Sequence, residues 1–71
     1  MLFYVFEIQT TNTGAVNVFT FNNREDAESK YHEILMYASK SQVDKHGAVI
    51  ITEDMFIVKS EVYNHTENPE E

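Results

Sequence analysis

The sequence predicts an α+β fold of ββαββ order, a four-stranded antiparallel sheet with one helix packed on one of its faces. Three observations carry that expectation. Alternating aromatic and β-branched runs lie toward both ends of the chain, each interrupted by turn residues. A single amphipathic stretch with capping signals lies between them. A length of 71 residues is enough for one domain only.

Leu2 to Gln9 reads as the first strand, from its aromatic and β-branched content. Thr10-Thr11-Asn12-Thr13-Gly14 is a turn cluster, with Gly14 placed for a positive φ. Ala15 to Phe21 is the second strand and closes a hairpin. Asn22 or Asn23 can cap a helix by accepting from a free backbone N–H. With Asn22 as cap, Glu25 stands in capping-box position. Glu25, Asp26 and Glu28 then occupy the first turns and Lys40 the last, each at the favourable end of the helix dipole. Ala27, Tyr31, Ile34, Leu35 and Ala38 form one apolar stripe, and the helix should fade over 39–41. Gln42 to Gly47 reads as a connection, Ala48 to Thr52 as the third strand, Glu53-Asp54 as a turn and Met55 to Tyr63 as the fourth strand. Residues 1–63 are thus one domain. Residues 64–71, with Pro69, read as a disordered acidic tail. Strand order is not legible at this level.

Charge narrows the function classes. Twelve Asp and Glu oppose five Lys and Arg, for a net −7, and Glu67, Glu70 and Glu71 supply three of those negative charges. Binding of nucleic acid or an anionic membrane needs basic surface, so both are excluded as direct partners. There is no cysteine, hence no disulfide and no thiolate zinc site. Met1 to Phe6 lacks a basic flank and is too short for a signal peptide or a span, which predicts a cytoplasmic location. Asn64-His65-Thr66 matches a glycosylation sequon only by chance in that compartment.

The chain shows no catalytic constellation. His32-Glu33 begins like a zinc-protease helix, but Met36 stands where the second His is required. Glu28 and His32 are one turn apart with Glu25 on the same stripe, a sparse ligand set that reads as a solvated Glu–His pair. His46 reads as an exposed loop residue and His65 as part of the tail. Ser29, Ser39, Ser41 and Ser60 lack nucleophile-elbow surroundings, and two glycines cannot build a phosphate-cradling loop. The carboxylate pairs Glu25-Asp26, Glu53-Asp54 and Glu70-Glu71 are adjacent and so diverge. No catalytic residue, metal or cofactor is expected. Tyr31 reads as core, with Met36 and Tyr37 half-exposed beside it.

Side chains alternate between the faces of a strand. Leu2, Tyr4, Phe6 and Ile8 share one face of the first strand, Phe3 and Val5 the other. The third and fourth strands are likewise apolar on both sides. One helix covers one face, and the other would expose a contiguous apolar patch that soluble monomers rarely carry. Self-association follows, with a twofold dimer the leading form. Phe3, Val5, Ile57 and Tyr63 are the expected interface residues.

The string Tyr4-Val5-Phe6-Glu7-Ile8-Gln9, with Thr20-Phe21 and Ala27-Glu28-Ser29-Lys30-Tyr31-His32, resembles small proteins encoded by low-GC Gram-positive gut bacteria and their phages or prophages. The similarity covers most of the chain up to about residue 65 and includes no catalytic signature. The resemblance implies a phage-related context, in the host cytoplasm or the virion, and assigns no site residue.

Three functions are compatible with these features. The first is a small acidic homo-oligomeric interaction protein, non-enzymatic, phage-encoded, acting on a host or virion protein. The second is a nucleic-acid mimic that blocks a basic groove, although Arg24 and Lys30 interrupt the helix acids. The third is a sponge for a small ligand held between subunits.

Overall fold

A computed structural model describes residues 1–10 and 14–65. The chain runs β1 (Phe3–Thr10), β2 (Gly14–Phe21), α1 (Arg24–Lys40), β3 (Lys45–Thr52), β4 (Ile57–Asn64). The four strands form one antiparallel sheet in the order β2-β1-β3-β4. The α+β, ββαββ expectation therefore holds, and the structure adds the strand order. β1 and β3 are central; β2 and β4 are the edges. The helix links β2 to β3, two strands that run the same way on either side of β1. The turn expected over 10–14 lies largely at 11–13, outside the described residues, as does the tail from 66 onward. Gly14 has no positive φ and is simply the first residue of β2.

Local chemistry sets the helix ends. Asn23, not Asn22, is the N-cap: its Oδ1 accepts from the Asp26 N–H at 2.8 Å, while its Nδ2 donates to Asp26 Oδ2 at 3.0 Å. At the other end the Ser41 N–H and hydroxyl both donate to the Ala38 carbonyl, at 3.3 Å each. The expected stripe, Ala27, Tyr31, Ile34, Leu35 and Ala38, is the buried face. It packs mainly over β3 and then β1, against fully buried Val5 and Ile50. Each such aliphatic side chain contributes about 1.5–3 kcal/mol by leaving water. Phe3, Phe19, Phe21, Val58 and Tyr63 pack around this cluster.

The β3–β4 turn is held by Thr52. Its hydroxyl accepts from the N–H groups of Asp54 and Phe56, and its backbone pairs with Met55 and Phe56. These bonds keep Met55 at a φ of 70°, a region an unbranched non-glycine residue enters only under such constraint.

Boundaries in the second half differ from expectation: β4 starts at Ile57, leaving Met55 and Phe56 to the turn that precedes it. β3 starts at Lys45, so His46 and Gly47 belong to a central strand rather than to a connection. His65 is not tail-like: its N–H donates to the Asp44 carbonyl at 2.6 Å, and its Nε2 to the Ala38 carbonyl at 2.8 Å. The end of β4 is thereby latched onto the C-terminus of α1. Among the described residues no helix is long and apolar enough to cross a membrane.

Candidate functional site

Register assigns the paired strand residues to a face. On the helix side lie Phe3, Val5 and Glu7 of β1, Asn17, Phe19 and Phe21 of β2, and His46, Ala48 and Ile50 of β3. The open side presents four rows across the sheet: Thr20-Tyr4-Ile51-Ile57, Val18-Phe6-Val49-Ser60, Val16-Ile8-Gly47-Val62 and, at one margin, the polar Gly14-Thr10-Lys45-Asn64. Lys45, at the margin, is the one charged strand residue on that side. The other strand charges, Glu7, Lys59 and Glu61, fall on the helix side. This inverts the usual plan of a two-layer domain, in which the uncovered face carries the charges.

The open face is therefore the candidate site, but with a different residue set from the one expected. Val5 is sealed in the core, and Phe3, partly buried, packs against that core on the helix side, so neither belongs to the open face. Tyr63 also lies on the helix side, stacked on His65 with ring centroids 6.3 Å apart. Of the four expected interface residues only Ile57 is on the open face, at 57% exposure. The reason is specific. Ile57 and Tyr63 share parity in sequence, but a register shift at Ile50/Ile51 sets them on opposite faces. The helix, for its part, settled on the Phe3/Val5 side of β1.

A depression of about 440 Å³ opens on this face, bounded by Ile8, Val49, Val62 and the missing side chain of Gly47, with Thr10, Lys45 and Ser60 at its rim. Its polar side chains include one lysine and two hydroxyls, and most of its remaining lining is apolar. The feature is better suited to an apolar side chain entering from above.

The helix side contains a second arrangement that sequence reasoning missed. His46, 4% exposed, places Nε2 at 2.8 Å from Glu7 Oε2 and Nδ1 at 3.0 Å from Ser41 Oγ. Glu7 also accepts from Asn17 at 3.1 Å and Gln9 at 3.2 Å. Carboxylate, imidazole and hydroxyl are the components of an acyl-transfer trio. Here the hydroxyl is the helix cap, bonded to the Ala38 carbonyl, and the depression opens on the opposite side of the sheet. An ionised carboxylate only accepts, so His46 Nε2–H donates to Glu7, while the Ser41 hydroxyl, able to donate or accept, partners Nδ1. The trio acts as an internal tie between β1, β3 and the end of α1. No described buried side-chain polar atom lacks a partner.

Burial pushes the Glu7 carboxyl upward, but the hydrogen bond from His46, then those of Asn17 and Gln9 and the charge of His46, outweigh it, and its pKa lies below the usual glutamate value. A depressed carboxylate pKa stabilises the fold above the unfolded value, about 4.3, and that contribution is lost as the pH falls through the lower folded value. Glu7→Gln should accordingly lower the urea midpoint near pH 6. The gap from the parent should narrow toward pH 3, and a gap that stays constant with pH would show that the charge has no part in it.

Glu28 is engaged by cations rather than by His32. Glu28 bonds Arg24 at 2.7 Å and faces Lys59 at 3.5 Å; Arg24 first, with Lys59 in support, holds its carboxyl below the usual range. His32 is exposed and meets the ring of Tyr31 edge-on. Among the described residues no three His, Cys, Asp or Glu gather as a metal site would require. Glu33 is paired with Lys30 at 3.4 Å, so the helix acids do not form the unbroken row that mimicry of a phosphate backbone requires. No family model, no curated protein and no solved structure matches this chain.

Proposed function

We propose that this is a small acidic, non-enzymatic interaction protein that assembles with copies of itself by stacking open sheet faces. The single observation that carries this reading is the inverted charge pattern: an uncovered face of three apolar rows with one marginal lysine. Four strands of eight residues span a flat area of about 500 Å². Two such faces in contact remove about 1,000 Å² or somewhat more once side-chain relief is included, at the lower end of specific interfaces. The depression over Gly47 gives the stack a place for a protruding aliphatic side chain from the opposite copy. A phage or host protein as a further partner rests on the sequence resemblance alone.

Ile8→Lys puts an ammonium at the centre of the face, on a side chain already partly exposed. The parent chain should sediment as an oligomer at micromolar concentration, and the variant as a smaller species with unchanged circular dichroism. A parent chain that is monomeric at tens of micromolar would remove the proposal.

A further inference from the structure

The two edge strands are not equivalent. β4 carries Lys59 and Glu61, borders the register shift at Ile50/Ile51, and ends in the His65 latch. Charges and irregularities of this kind are how sheet edges are kept from pairing. β2 has none of them. Its eight residues, Gly14-Ala15-Val16-Asn17-Val18-Phe19-Thr20-Phe21, include no charge and no proline, and they pair with β1 in unbroken register. Val16 and Val18 are 56% and 51% exposed. One row of its backbone N–H and C=O groups has no strand beside it among the described residues.

We propose that the free edge of β2 is a strand-pairing site whose occupant is β2 of a second copy, joined antiparallel into a continuous eight-stranded sheet. The charge distribution favours a second copy. Two chains of net −7 repel, and this uncharged strand is where they can approach without opposing carboxylates. The area argument points the same way. The stacked faces alone lie at the lower margin of a stable interface, and edge pairing adds main-chain hydrogen bonds and joins two open faces into one. Symmetry fixes a further detail. Directly opposed residues of an antiparallel pair share a face, and a twofold axis normal to the sheet preserves faces, so one central residue of β2 must stand opposite its own copy. Asn17 and Val18 are the candidates. This contact is separate from the face stacking proposed above and survives its loss.

The chain has no cysteine, so single-cysteine variants report cleanly. Asn17→Cys and Val18→Cys on β2, and Glu61→Cys on the β4 edge, are each made in the Ile8→Lys background, where stacking is removed. Opposed strands hold Cα atoms at a spacing a disulfide can bridge. One β2 variant should oxidise to a covalent dimer, while Glu61→Cys remains a monomeric thiol. If neither β2 cysteine crosslinks, or Glu61→Cys does so equally, the pairing is overturned while the stacking reading stands. If only a strand from another protein reacts with the β2 cysteine, the edge is a docking site but the second copy is the wrong occupant, which also overturns it.

Discussion

Gly47→Ala is expected to destabilise the protein by about 3 kcal/mol or more, a large part of the stability of so small a domain. A Cβ built at this position falls on the carbonyl oxygen of Glu61 and within 2.8 Å of Val62 Cα and 3.0 Å of Val62 Cβ. Opposed Cβ atoms in an antiparallel pair normally stand about 4.5–5.5 Å apart. The colliding atoms belong mainly to the backbone of β4, which cannot rotate aside as a long side chain would. β4 must move away from β3, weakening the ladder between them and the latch at His65. Gly14 offers an internal control, since a Cβ there meets nothing within 4 Å and its φ is not positive. Gly14→Ala should be neutral in urea denaturation while Gly47→Ala unfolds at markedly lower denaturant. Equal stability of the two variants would mean that β4 can shift without loss, and that the close approach is incidental.

The same glycine explains why the start of β3 was not legible in the sequence. His46-Gly47 reads as a connection because glycine weakens a strand and usually marks a break. Here it marks a close approach of two backbones, a tertiary fact with no local signature. His46 was misread for a related reason: its partner Glu7 is 39 residues away, and nothing near His46 in the chain announces a carboxylate. Features encoded within a few residues were legible. The helix stripe, the acids of its first turn and the pairing of Leu2–Gln9 with Ala15–Phe21 all rest on short-range periodicity and capping. The open apolar face was legible as a consequence of counting one helix against strands that are apolar on both sides. Its residues were not, because two nonlocal choices decide them: the side of β1 on which the helix lands, and the irregularity that sets Ile57 and Tyr63 on opposite faces.

The second large effect separates what the fold requires from what assembly requires. Ile50→Ala should cost about 4 kcal/mol, since Ile50 is fully buried beneath the helix and its truncation leaves a cavity that rigid neighbours fill only in part. That loss belongs to the folded chain itself and should appear at any protein concentration. Val62→Ala removes a similar apolar bulk from a side chain 59% exposed on the open face. In an isolated chain such a change costs less than about 0.5 kcal/mol. If the faces stack, Val62 is covered by the opposite copy, and its loss weakens association. Because binding partners stabilise only the native state, the melting temperature of the parent should then rise with protein concentration, and that dependence should flatten in Val62→Ala. Ile50→Ala, by contrast, should lower the whole curve without changing its slope against concentration. Equal, concentration-independent penalties for the two variants would place Val62 in the same packing environment as Ile50, contrary to the faces assigned by the strand register. A parent melting temperature that does not move with concentration would mean that valine and isoleucine on the open side contribute to nothing beyond a single chain.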